Sequence, residues 1–157
     1  MSAVIDNIET PLIREGERCQ IELRYTREQI VEFARLTGDA NPLHHDRQAA
    51  ERASFGEIIA SGQQTTSHMI GLVATYFSRR DDGVPREMLC LNFNFAFKLP
   101  VFAEQDIQIA WRVSEIERNT RRGGFIGHVD GSASVAGKAC IIGRGTVLVR
   151  RAAGRSA

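Results

Sequence analysis

The stretch Leu89-Cys90-Leu91-Asn92-Phe93-Asn94-Phe95-Ala96-Phe97 places large apolar side chains at five successive odd positions. Successive side chains of a β-strand point to opposite faces of the sheet, so this alternation predicts a strand with one buried face. Four other stretches alternate in the same way: Cys19, Ile21, Leu23 and Tyr25; Ile107, Ile109, Trp111 and Val113; Phe125, Val129, Ala133 and Val135; and Ala139, Ile141, Val147 and Val149. The pattern therefore predicts five strands.

The segment after Gly62 carries the longest helical pattern in the sequence. Its apolar residues recur at the spacing of one helix face: Met69, Leu72, Val73, Tyr76 and Phe77. Two shorter helices are expected before it, one starting at a capping box of Thr26 and Gln29 and the other capped by Asp46. Short polar turns between the later strands favour antiparallel pairing. We therefore predict an α+β fold, in which a five-stranded antiparallel sheet wraps round one long central helix.

A polar stretch between the first strand and this helix reads Phe33-Ala34-Arg35-Leu36-Thr37-Gly38-Asp39-Ala40-Asn41-Pro42-Leu43-His44. Gly38 can adopt positive φ at no steric cost, and Pro42 keeps the preceding residue out of the helical region. Asp39 and His44 are therefore expected on a bent loop, where their side chains could converge and activate a water molecule. The residues alone also fit a tight turn in which Asp39 caps a helix and His44 is solvated.

The same stretch, followed by Ala50, resembles the signature of the MaoC-like, (R)-specific enoyl-CoA hydratases, also called hydratase 2. Ile58-Ile59-Ala60-Ser61-Gly62 is similar to the start of that family's central helix, and Phe97-Lys98-Leu99-Pro100-Val101 is similar to a strand-to-turn element of the family. The resemblance covers about residues 25–149. It implies a single hotdog domain, which agrees with the sheet and helix predicted above.

The resemblance also implies catalytic roles. Asp39 would act as the base toward water, while His44 would orient that water and shuttle the proton; an exchange of these two roles stays open. Gly62 matches the family's oxyanion glycine. Its backbone N–H, at the start of a helix, would stabilise negative charge on the thioester oxygen. The alternative for Gly62 is an ordinary helix-start glycine.

Three further residues are candidates for substrate binding, namely Asn41, Ser61 and Lys98. Asn41 is favoured more as a brace of the loop than as a contact with substrate. Ser61 stands where relatives often carry histidine, and Ile70 stands where they often carry serine, which concerns the lining of the acyl pocket more than the chemistry. The sequence also contains two arginine pairs, Arg79-Arg80 and Arg121-Arg122. We expect both pairs to be solvated, although either could bind the phosphates of coenzyme A.

A chain of 157 residues is long enough for one domain with a single core. We divide it into a loosely held lead-in over residues 1–18, a MaoC-like hotdog domain over residues 19–150, and a C-terminal tail over residues 151–157. An isolated hotdog has exposed sheet edges, so a homodimer that continues the sheet is expected.

Composition narrows the possible partners. The net charge of +1 gives no general attraction to nucleic acid or to an anionic membrane, and no stretch approaches the ~20 apolar residues of a membrane span. The three cysteines include no zinc-binding spacing and are expected as free thiols of a cytoplasmic protein. No cofactor and no metal are expected.

The leading functional hypothesis is an (R)-specific enoyl-CoA hydratase, or 3-hydroxyacyl-CoA dehydratase, acting on an acyl-CoA thioester. An acyl carrier protein thioester is possible because both carriers present the same phosphopantetheine arm. The alternatives are a hotdog acyl-CoA thioesterase, a more specialised dehydratase of branched or dicarboxylic acyl-CoA, and a non-catalytic acyl-thioester-binding subunit. The presence of both Asp39 and His44 ranks the last of these lowest.

Overall fold

A computed structural model describes residues 10–153 of the chain. The expected elements are present in the expected order. The strands are β1 (Arg18–Arg24), β2 (Arg86–Phe97), β3 (Asp106–Arg118), β4 (Phe125–Val135) and β5 (Lys138–Arg151). The helices are α1 (Arg27–Thr37), α2 (Arg47–Arg52) and α3 (Gly62–Ser78), and a short 3-10 helix covers Pro42–His44. The capping box of Thr26 and Gln29 and the N-cap at Asp46 are both confirmed.

The five strands form one antiparallel sheet in the order β1-β3-β4-β5-β2, with α3 against its inner face. The predicted hotdog architecture is therefore confirmed. The indole Nε1 of Trp111 donates a 2.8 Å hydrogen bond to the carbonyl of Met69, which ties the middle of α3 to the sheet. Between residues 10 and 153, no helix is both long and apolar enough to cross a membrane.

The β2 strand departs from the strict alternation of its sequence. Its register against β5 shifts between Cys90 and Asn92, as in a β-bulge. Phe93 and Phe95 lie against the core, as expected. Residues that pair directly across two strands point to the same face of the sheet, and before the bulge the residue that pairs with the buried Val147 is Cys90. The expectation that Leu89 and Leu91 share the core-facing side with the later phenylalanines is therefore wrong, because the extra residue exchanges the two faces.

Glycines in β4 and β5 make room for the aromatic rings of the core. A Cβ added at Gly131 would lie 2.3 Å from the Trp111 ring, and one added at Gly145 would lie 2.3 Å from the Phe93 ring. The pairing of β5 is continuous through Gly143 and Gly145. These two glycines therefore mark a close approach of aromatic rings to the backbone and not a β-bulge.

Residues 10–18 are not the loosely held lead-in that the sequence suggested. Ile13 is fully buried and belongs to the main hydrophobic core. The backbone N–H of Gly16 donates to the carbonyl of Val113 at 2.8 Å, and the N–H of Val113 donates to the carbonyl of Glu17 at 2.9 Å. At the other end, β5 includes Arg151, so regular structure passes the expected boundary with the tail. The rest of the lead-in, residues 1–9, and residues 154–157 of the tail lie outside the described part.

Candidate active site

The loop that carries Asp39 is fixed by the end of α1. Gly38 ends that helix in the left-handed conformation, at φ 73°, which an L side chain rarely adopts. The backbone N–H of Asp39 then donates to the carbonyl of Ala34 at 2.8 Å. Asn41 caps the 3-10 helix, and its Oδ1 accepts a 3.2 Å hydrogen bond from the N–H of Leu43. These local contacts turn the chain so that Asp39 and His44 face each other.

The Asp39 carboxylate and the His44 ring meet, with Oδ2 of the former 3.3 Å from Nε2 of the latter. His44 is buried, and its Nδ1 lies 2.7 Å from the carbonyl of Ile59. A carbonyl only accepts, so Nδ1 carries a hydrogen and donates it. In the neutral ring Nε2 is then an acceptor that faces the acceptor Oδ2 of Asp39. A water molecule that donates one O–H to each of them would satisfy both.

Two neutral donors hold the Asp39 carboxylate. Its Oδ1 accepts from the backbone N–H of Asn41 at 3.1 Å, and its Oδ2 accepts from the side-chain amide of Gln63 at 3.2 Å. The hydrogen bond from Asn41 is the main reason that the pKa of Asp39 lies below its ordinary value, and the hydrogen bond from Gln63 lowers this pKa further. The carboxylate is therefore ionised near neutral pH.

The start of α3 lies beside this pair. Ser61 is the buried N-cap, and its Oγ accepts a 3.3 Å hydrogen bond from the N–H of Gln64. Gly62 is the first residue of the helix, where backbone N–H groups have no intrahelical acceptor and the helix dipole is positive. A Cβ on Gly62 would lie 2.3 Å from the ring of Phe97, so only glycine leaves this backbone open beneath that ring.

These residues line one cavity of about 510 Å³. The polar side chains on its wall are Asp39, His44, Ser61, Gln63, Thr65 and Lys98, and the larger apolar ones are Phe55, Ile59, Phe97, Leu99, Val101 and Ile141. Val101 and Ile141 are buried, whereas Phe97, Lys98 and Leu99 are exposed. We call the buried apolar part of the lining the floor of the cavity and the exposed part beside the end of β2 its mouth.

The structure brings most of the predicted site residues together. Asp39, His44, Ser61, Gly62 and Lys98 line the cavity. Asn41 does not line it, and its side chain braces the loop. Gln63 was missed by sequence reasoning, although its position directly after Gly62 was a usable signal.

The arginine pairs lie away from the cavity. Arg79 follows the last residue of α3, about 25 Å along the helix from Gly62. Arg80 forms a close ion pair with Glu17 and packs over the ring of Tyr76. Arg121 and Arg122 lie in the loop between β3 and β4. None of these four arginines is among the residues that line the cavity, so the described part of the chain gives no support for their holding the phosphates of coenzyme A.

The chain is similar to known proteins in both sequence and fold. The profile of the family described as "MaoC like domain" matches residues 10–131. A 3-hydroxybutyryl-CoA dehydratase of Methylorubrum extorquens is 31% identical over 93 residues, which is 59% of this chain and 55% of that protein. The chain thus spans about half the length of that relative.

Two further comparisons concern hydratases. The (R)-specific enoyl-CoA hydratase of Aeromonas caviae is 25% identical over 104 residues, covering 66% of this chain and 73% of that protein. The solved structure of the (R)-hydratase from A. caviae involved in PHA biosynthesis superposes with a TM-score of 0.75 at 22% identity. It covers 87% of this chain and 96% of that chain, so the two share a fold.

Proposed function

Because the chain belongs to the MaoC-like domain family, we propose that it is a hydro-lyase that adds water to a trans-2-enoyl thioester and also catalyses the reverse dehydration. The product of the hydration would be a (3R)-3-hydroxyacyl thioester. The names of the dehydratase and hydratase relatives support this reaction class. The observation that carries the proposal is the 3.3 Å pair of Asp39 and His44 in a cavity beside the first N–H groups of α3.

The proposed mechanism starts with water held between Asp39 Oδ2 and His44 Nε2. The Asp39 carboxylate takes one proton as the water oxygen bonds to C3 of the enoyl group. The π electrons shift toward the thioester oxygen, where the N–H of Gly62 stabilises the negative charge. Asp39 then releases this proton, which bonds to C2, so that H and OH are added, the carboxylate is restored and no redox partner is needed. His44 orients the water through its lone pair, which the hydrogen bond from Nδ1 to Ile59 keeps on Nε2.

The acyl group would lie on the apolar floor formed by Val101 and Ile141. The pantetheine arm would leave through the mouth near Lys98, which lines the cavity and is exposed. This arm is common to coenzyme A and acyl carrier protein. Coenzyme A is our first choice because it is the carrier in the names of the two relatives described above.

The test is a panel of enoyl-CoA substrates, straight, branched and dicarboxylic, followed by loss of enoyl absorbance and by the chirality of the product. Asp39→Asn should lower kcat by at least roughly 100-fold, as expected for loss of a general base. Asp81→Asn, the same change on an exposed loop residue, should leave kcat unchanged. Release of free thiol from saturated acyl-CoA without hydration would instead identify a thioesterase and overturn the proposal.

We also propose that the chain forms a homodimer through β2. This strand is at one edge of the sheet, and large apolar side chains along it and just beyond it are exposed: Leu89 at 44%, Leu91 at 43%, Phe97 at 61% and Leu99 at 48%. The opposite edge, β1, instead exposes the charged Arg18, Glu22 and Arg24. An apolar edge favours pairing and a charged one opposes it, so β2 would pair with its symmetry copy.

A further inference from the structure

The side chain of Gln63 joins the start of α3 to the carboxylate of Asp39. Its Nε2 lies 3.2 Å from Asp39 Oδ2, across a sequence separation of 24 residues. An ionised carboxylate has acceptors only, so the amide must present its NH₂ group and not its oxygen. The contact therefore links two segments of the chain through one defined hydrogen bond.

The oxygen that Gln63 contacts is the one that faces His44. Oδ2 of Asp39 receives the amide of Gln63 and lies 3.3 Å from Nε2 of His44, whereas Oδ1 is occupied by the N–H of Asn41. The amide and the Asn41 N–H together fix the plane of the carboxylate. The direction left open on Oδ2 is the one toward the imidazole, where the proposed water would lie.

Gln63 also follows Gly62 directly at the beginning of α3. A hydrogen bond from this side chain to Asp39 therefore sets the distance between the proton acceptor and the backbone N–H that would stabilise the oxyanion. Hydration needs both groups at fixed positions on one substrate, and small displacements of such groups are costly.

We propose that Gln63 is a positioning residue, which aligns the Asp39 carboxylate with His44 and with the N–H of Gly62. The inference rests on the proposed hydratase function. Gln63 would touch the carboxylate and not the reacting atoms. Its loss should lower kcat more than it changes KM, and it should alter the proton affinity of Asp39.

Two substitutions distinguish the effect of the Gln63 hydrogen bond from the effect of the size of its side chain. Gln63→Met keeps the length of the side chain but removes the donor, so kcat should fall roughly tenfold, equivalent to about 1.4 kcal/mol. Gln63→Glu places a second carboxylate against the first, which raises the pKa of Asp39 because two adjacent negative charges repel. Gln63 is exposed, so both variants are expected to fold. Gln20→Met and Gln20→Glu, at an exposed position of β1, are the matched controls.

The first readout is an NMR titration of the Asp39 carboxyl carbon in the free protein, which needs no turnover. Asp39 should titrate below its ordinary pKa of about 3.9 in the wild type, higher in Gln63→Met and highest in Gln63→Glu. The Gln20 variants should match the wild type. An unchanged Asp39 titration in both Gln63 variants would overturn the proposal.

The second readout is the pH profile of kcat/KM. A higher pKa of Asp39 leaves less base at low pH, so the acidic limb attributable to Asp39 should move to higher pH in Gln63→Glu. A change in KM alone, with kcat and the acidic limb unmoved, would make Gln63 a substrate contact and overturn the inference. If the wild type hydrates no enoyl thioester, the proposed function fails, while the NMR titration still decides whether Gln63 controls Asp39.

Discussion

The Asp39 carboxylate is held by a backbone N–H and a side-chain amide, and it faces a neighbouring imidazole. The N–H of Asn41 is local, His44 lies five residues on, and Gln63 belongs to α3. Such a carboxylate loses little freedom when water and substrate arrive. This preorganisation is the condition under which a single base can be effective in a partly open cavity.

Gly62→Ala tests the close contact between α3 and Phe97. The new Cβ would lie 2.3 Å from the ring, which must move. Because Phe97 is 61% exposed, the ring can move without disturbing the core, and the melting temperature should change little. The displaced ring would enter the cavity mouth, and kcat should fall roughly 100-fold.

Phe97→Ala in the Gly62→Ala background provides the control for that prediction. Removal of the ring leaves space for the new methyl group, so activity should return close to that of Phe97→Ala alone. If the double variant stays as inactive as Gly62→Ala, the methyl group itself blocks the site and the role assigned to the ring is wrong.

At the residue scale, the sequence predicted contacts within the loop better than contacts between segments. Asp39 and His44 are five residues apart, and Gly38 and Pro42 bend the chain between them, so their approach followed from local conformation. The contact from Gln63 depends on where the start of α3 lies relative to that loop. This placement is decided by packing over the whole domain, which a local pattern does not contain.

At the scale of the elements, three glycines of the sheet leave room for aromatic rings of neighbouring strands. Gly131, Gly143 and Gly145 lie under the rings of Trp111, Phe95 and Phe93. Trp111 in turn donates to the carbonyl of Met69. The rings thus fill the space between sheet and helix and set how closely β2 and β3 approach α3.

Gly131→Ala should destabilise the fold, because a Cβ at this position would lie 2.3 Å from a nearly fully buried indole ring. Overpacking of this kind costs about 1–3 kcal/mol. Urea unfolding followed by circular dichroism would measure it. Gly71→Ala is the matched control, since a Cβ there meets nothing within 4 Å and the residue lies within α3, where alanine is favoured by about 0.5–1 kcal/mol. Equal effects of the two changes would contradict this account of the sheet.

Element boundaries followed from the sequence, but the bulge in β2 did not. Thr26, Gln29 and Asp46 are recognisable caps, and the helices begin where these residues predict. The segment around Leu91 instead continues an unbroken alternation of side chains, with no glycine or proline to mark an extra residue. The register shift arises from pairing with β5, so it is visible only in the assembled sheet.

At the scale of the whole molecule, the two edges of the sheet differ. The β1 edge carries alternating charged residues, and the β2 edge carries leucines and a phenylalanine that are half exposed. The lead-in strengthens the rest of the domain, because Ile13 fills the space above Gly127, where a Cβ would lie 2.4 Å from its Cδ1. The core is therefore covered at Gly127, whereas apolar side chains stay exposed along β2.

Leu91→Arg should convert the proposed dimer toward monomer. The residue is 43% exposed on the edge strand, and a buried, unpaired guanidinium at an interface is strongly unfavourable. Sedimentation velocity over a range of concentrations would measure the change. Leu36→Arg is the matched control, because Leu36 is 80% exposed on α1, away from the β2 edge. A monomeric wild type, or an equal effect of both changes, would contradict the β2 interface.

The cavity mouth and the open edge share one strand, since Phe97 belongs to β2 and also lines the cavity. If β2 pairs with its copy, dimer formation and ligand binding are thermodynamically linked. A thioester that binds the dimer more tightly than the monomer then strengthens dimer formation, and dimer formation strengthens binding of the thioester by the same factor. Dilution would then weaken the apparent affinity for substrate, and saturating substrate would protect the protein against dissociation.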